Sequence, residues 1–147
     1  MKNREYNLLS FRYHDYEERE GFHRYPCYDL FIDNKNLIEY FSNYSQFVTP
    51  FGIGYKDIRD ELGPIDEYLG IRDPGDAYGL SFLICGECHD PGCGGIWGKL
   101  KLSESEVLWY DFSDGEESLS FCFKRQQYEL TFSELEKEIR QKHSLSE

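Results

Sequence analysis

In Gly79-Leu80-Ser81-Phe82-Leu83-Ile84-Cys85-Gly86-Glu87-Cys88-His89-Asp90-Pro91-Gly92-Cys93-Gly94-Gly95-Ile96-Trp97-Gly98-Lys99-Leu100-Lys101-Leu102, an apolar run, a glycine-rich turn and an alternating run follow one another. The first run is apolar enough for a central strand. In the second, Ile96, Gly98, Leu100 and Leu102 alternate with Trp97, Lys99, Lys101 and Ser103, the spacing of a half-buried strand. Two strands joined by a turn predict an antiparallel hairpin. The pattern continues downstream through a tight turn at Glu104-Ser105, a strand over Val107–Phe112, a turn at Asp114-Gly115, and a strand that puts Leu119, Phe121 and Phe123 on one face. A β-meander is expected.

Beyond it, Arg125-Gln126 reads as one more turn and Tyr128–Phe132 as a short strand. Ser133-Glu134-Leu135-Glu136 then fits a capping box, opening a C-terminal helix with Phe132, Leu135 and Ile139 inward and a frayed end from His143. Upstream, Glu5–Tyr13 and Phe22–Ile32 read as strands, Pro26 marking an edge or bulge. Asp33-Asn34-Lys35-Asn36 supplies turn and cap chemistry, and Leu37, Ile38, Phe41, Tyr44 and Ser45 predict a short helix to about Phe47. Between Thr49 and Asp76, five glycines and three prolines punctuate the chain too often for long regular elements, so a surface connection is expected. The fold class is α+β, a single domain over 1–147, mainly antiparallel, with one helix after the second strand and another at the C-terminus.

A domain of 147 residues buries roughly 68–70% of the surface its unfolded chain exposes, so disulfides are not required. No segment approaches the roughly 20 apolar residues of a membrane helix and no apolar signal core opens the chain, which predicts a cytoplasmic protein. The net charge of −12 repels phosphate backbones and favours a basic protein surface as partner.

The cysteine turn supports two readings. Cys85, Cys88 and Cys93 can bind zinc, with His89, Asp90 or Cys122 completing the set and Cys27 as a more distant alternative. The other is a hairpin turn built from small residues with no metal, and it is the simpler. Catalysis finds no support. A redox Cys-x-x-Cys needs a helix start that Asp90-Pro91-Gly92 forbids, and neither a cysteine–histidine arrangement, a phosphate loop nor a metalloprotease helix is recognisable.

The turn Cys85-Gly86-x-Cys88-x-Asp90-x-Gly92-Cys93-Gly94, with Val107-x-Trp109-x-x-Phe112, Phe121-x-Phe123, Gln127-Tyr128 and Phe132, resembles a group of small bacterial proteins with no established enzymatic activity. Tyr28-Asp29-Leu30-Phe31-Ile32 is a weaker echo. The small, acidic character is also similar to immunity proteins that neutralise secreted toxins. That likeness implies a non-enzymatic inhibitor, monomeric when free, of a cationic toxin domain such as a nuclease. The acidic connection is the expected contact surface, through Tyr55, Asp57, Asp60, Glu61, Asp66, Glu67 and Tyr68.

Overall fold

The computed structural model describes residues 5–14, 27–41, 47–51, 58–73, 79–85, 95–114 and 119–146. Its architecture is α+β, as the sequence predicts. Strands β1 (Leu9–His14), β2 (Cys27–Ile32) and β3 (Lys35–Asn36) form one antiparallel sheet in that order. Strands β4 (Phe47–Val48), β5 (Leu80–Cys85), β6 (Gly95–Leu102), β7 (Glu106–Tyr110) and β8 (Phe121–Lys124) form a second, also antiparallel and in sequence order, so β5 to β8 are the expected meander. Among the described residues there are two α-helices, α1 (Ile58–Tyr68) and α2 (Arg125–Ser146). Among the described residues no helix is long and apolar enough to cross a membrane.

Local chemistry explains the elements that came out as expected. Asp33 and Asn34 both take positive φ (55° and 65°), the demand of a two-residue type I′ turn, and so pair Ile32 with Lys35. Asn36 then caps a 3-10 turn (Leu37–Tyr40), accepting from the Ile38 amide at 3.2 Å while Glu39 accepts from the Asn36 amide at 3.0 Å. The helix expected from Leu37 to Phe47 is only this turn among its described residues, because Phe41 is already extended.

Two segments differ from the sequence reading. Tyr128–Phe132 is no strand: α2 starts at Arg125 directly after β8, and Ser133 lies inside it rather than at its cap. Tyr128, Phe132, Leu135 and Ile139 recur at helical spacing and are all buried, which fixes the period. The expected connection contains α1, despite Gly63 and Pro64 within it. Its inner side carries Leu62, Ile65 and Tyr68 into the core.

The core joins both sheets and both helices. Phe132 lies 4.9 Å from Tyr128, 5.2 Å from Phe11, 5.6 Å from Tyr68 and 5.9 Å from Phe51, measured between ring centroids. Trp109, fully buried, meets Phe82 at 4.9 Å, Phe123 at 4.6 Å and Tyr68 at 5.5 Å, mostly edge to face. The polar atoms of this cluster are joined in series. Trp109 Nε1 donates to the Tyr128 hydroxyl (3.2 Å), which donates to the Tyr68 carbonyl (2.7 Å), and the Tyr68 hydroxyl donates to the Ser81 carbonyl on β5 (2.7 Å). The end of α1 is thereby fastened to α2 and to the sheet. Burial pushes the Tyr68 and Tyr128 hydroxyls well above their ordinary value, so both stay protonated donors.

At the far edge, the β8 backbone is closed by the N-terminal segment. Asn7 N donates to the Cys122 carbonyl and Asn7 Oδ1 accepts from the Cys122 amide, both at 2.8 Å, so a side chain takes the place of a further strand.

Candidate functional site

The site begins at the end of α1. Leu69 N donates to the Ile65 carbonyl (2.9 Å), Gly70 N to that of Glu67 (3.1 Å) and Ile71 N to that of Asp66 (2.9 Å), the hydrogen bonds of a Schellman ending. Gly70 sits at φ 75°, the left-handed position such an ending needs, where a residue with a Cβ is strained. An apolar residue in the Ile71 position ordinarily packs back on the last turn of the helix. Here the residue it would meet is Asp66, which gives no apolar seat, and Ile71 stands 74% exposed. The capped backbone holds a large apolar side chain out to solvent.

Beside it lies an open cleft of about 470 Å³. Its lining comes from the end of α1 and the residues after it (Glu67, Gly70, Arg72 and Asp73) and from the sheet (Leu80, Lys99, Leu100 and Tyr110), with Gly79 just before β5. That volume falls within the roughly 300–1,000 Å³ of ligand pockets. Lys99 and Tyr110 are brought together by strand register, since they pair directly across β6 and β7. Asp111 turns the chain after β7 at φ 55° and pairs with Lys99 Nζ at 2.9 Å. That hydrogen bond raises the Lys99 pKa and keeps it cationic.

Arg72 folds back over α1 at Gly63. A Cβ there would come within 2.8 Å of Arg72 Nη1, so the glycine leaves room for the guanidinium. Burial pushes the Glu67 carboxyl above its ordinary value of 4.5; Arg72 pulls it down and Asp73 pushes it up. Desolvation wins over the neighbouring cation, so Glu67 is a carboxylate that gains from a further positive charge.

The residues expected to contact a partner divide. Asp66 and Glu67 are half-buried at the site just described. Tyr68 is 1% exposed and holds the core hydrogen bonds, and Glu61 is 2% exposed, so neither belongs to a contact surface. The segment forms a helix rather than a surface connection, and helical spacing turns both inward with Leu62 and Ile65. Asp60 lies within α1; Tyr55 and Asp57 lie outside the described residues. Ile71 completes the site together with Arg72, Asp73, Lys99 and Tyr110, the last four without a sequence signal of their own. The apolar residue after a helix-ending glycine, facing an aspartate four residues before that glycine, was the one legible hint.

Cys88, His89, Asp90 and Cys93 also lie outside the described residues, and Cys85 ends β5. Cys122 cannot complete a site with Cys85. It pairs with Leu108, itself paired with Lys101, six positions along β6 from the Gly95 that faces Ile84. That is about 20 Å along the strands and three strands over, about 14 Å across, against Zn–S bonds of about 2.3 Å. The Cys122 thiol instead points to Glu106 Oε2 at 3.4 Å. Cys27, the more distant alternative by sequence, packs as a small apolar residue with Val48 and Ile84. Among the described residues no three His, Cys, Asp or Glu converge to hold a metal ion. No protein-family model, no curated protein and no solved structure matches the chain.

Proposed function

We propose that this protein is an immunity-type inhibitor that acts in the cytoplasm and neutralises a cognate cationic toxin domain by binding it at the end of α1. One observation carries the choice of surface: an isoleucine 74% exposed, held by a capped helix end between Asp66, Glu67 and Asp73, in a chain of net charge −12. An exposed apolar anchor ringed by charge is the anatomy of a small, specific protein interface. The overall charge adds speed and selectivity toward a basic partner, because opposite potentials steer the encounter and disfavour acidic competitors. The likeness in type to immunity proteins supplies the toxin.

The experiment is to purify tagged protein from its native host and identify what is bound in stoichiometric amount. The expected partner is basic, arrests growth when produced alone and is harmless when co-produced with this chain. A stoichiometric partner that is acidic, or a basic one that is harmless by itself, contradicts the proposal.

A further inference from the structure

We propose that the outer edge of β1 receives an extended, basic segment of a partner protein, which pairs with it antiparallel as a further strand. The surface shares no residue with the cleft at the end of α1, so the inference goes beyond the reading above and does not depend on it. β1 is the end strand of its sheet, with β2 on one side only. Which residues face outward follows from the register. Asp33 N donates to the Leu8 carbonyl at 2.8 Å, so Leu8 turns its main-chain groups to β2. In an antiparallel pair Ser10 and Arg12 do the same, while Leu9 and Phe11 turn theirs away. Asn7 fits the alternation, since its amide points away from β2 to the Cys122 carbonyl at 2.8 Å. Beyond Asn7 that support ends: no hydrogen bond among the described residues takes the outward amide or carbonyl of Leu9 or Phe11.

A trough of about 180 Å³ lies along this edge, between Leu9, Ser10 and Phe11 and a flank of α2 that carries Thr131, Glu134 and Glu138. An open edge pairs with a further strand because its unused main-chain donors and acceptors match those of any extended segment. The helix flank selects the side chains. Phe11 turns its ring to Phe132 on α2, and the residues paired with Leu9 and Phe11 would share that face, about 6.8 Å apart. Glu134 and Glu138 are one helical turn apart, about 6 Å along α2. Phe132 packs on Phe11 and Lys142 on Tyr13, so helix and strand run in the same sense. Alternate Lys or Arg side chains of the added strand therefore reach the two carboxylates in turn. Glu138 otherwise lies beside the neutral Tyr28 hydroxyl, and Lys142 stands over the Tyr13 ring at 4.0 Å. A second copy of this chain is the poorer occupant, because pairing β1 with β1 would bring two such acidic flanks together between molecules of net charge −12.

The test titrates the ¹⁵N-labelled full chain with the acetylated, amidated peptide Thr-Lys-Val-Lys-Val-Thr. Two control peptides are compared with it. One is methylated on the main-chain nitrogens of both lysines, which keeps the charge and removes the pairing donors; the other has glutamate in place of both lysines. Saturable shifts are expected at the amides of Leu9, Phe11, Glu134 and Glu138, with slowed hydrogen exchange at Phe11 in the saturated complex. Each control should bind at least about tenfold more weakly, the scale of losing one pairing or charge-assisted contact. The chain carrying Glu134→Lys and Glu138→Lys should lose the lysine peptide to the same degree, and the two control peptides decide the matter on the unaltered chain if that variant does not fold. Absence of shifts at Leu9 and Phe11, equal binding of either control peptide, or full binding by the folded double variant overturns the proposal. So does a chain that sediments as a dimer with its Leu9 and Phe11 amides already protected, since the edge would then belong to a second copy.

Discussion

Glu67 and Tyr68 are consecutive residues on one helix and belong to opposite environments. Tyr68 is at the centre of the aromatic core, with its hydroxyl on β5 and its carbonyl held by α2. Glu67 lines an open, charged cleft. The difference shows how the molecule divides its work: the inward face of α1 is fixed by packing and buried hydrogen bonds, and that rigidity is what presents the polar end of the same helix, with Ile71, in one orientation. The core should therefore govern stability, and the cleft should govern binding with little effect on stability.

The largest effect is expected from Trp109→Ala. Emptying the space of a fully buried tryptophan should destabilise the fold by about 3–5 kcal/mol in urea titrations. A loss below 1 kcal/mol would mean that the aromatic cluster is not the core. Tyr128→Phe comes next, at about 1–3 kcal/mol, because the Trp109 indole N–H and the Tyr68 carbonyl lose their shared partner while packing is kept. If Tyr128→Phe is neutral, the two helices are not joined by this hydroxyl.

Gly70→Ala probes the boundary between the regions. A left-handed alanine costs roughly 1–2 kcal/mol, and its Cβ would displace the Leu102 side chain. The Schellman ending should loosen, and with it the presentation of Ile71, so partner retention should fall further than stability alone explains. The smallest effect belongs to Glu67→Gln and appears as a pH dependence. The folded state holds the Glu67 proton to higher pH than the unfolded chain, where it leaves near 4.5. The contribution of this group is therefore complete below that value and is lost as pH rises through the raised folded one. Glu67→Gln lacks that loss, so its stability relative to wild type should improve from acidic pH toward neutrality. A constant difference across that range would show that Glu67 is not desolvated.

Much of the fold was legible in the residues. Asp33-Asn34 specified a turn that only positive φ allows, and the alternation from Ile96 to Leu102 placed β6 with the correct face inward. The helix α1 was hidden by Gly63-Pro64, residues that disfavour helix interiors by about 1 and 3 kcal/mol. Tertiary burial overrides that preference, since Leu62, Ile65 and Tyr68 each gain on the order of 1.5–3 kcal/mol from leaving water. Tyr128 and Phe132 belong to α2 for a different reason: their four-residue spacing is helical, but it follows a true strand with no breaker between.

The candidate site was half legible. Asp66 and Glu67 stood out as charge in a segment rich in turns. Lys99 and Tyr110 could not, because only the register of β6 against β7 makes them neighbours. Arg72 reaches the cleft only because the chain reverses at Gly70 and finds no Cβ at Gly63.

The most direct test of this division is a side-by-side purification from the native host of wild type and of a variant with Asp66, Glu67 and Asp73 each changed to Lys, the two matched in urea midpoint. Binding at the end of α1 predicts that wild type retains a stoichiometric basic protein and that the equally stable variant does not. Equal retention of the same partner by both would contradict it and move the contact surface elsewhere on the molecule.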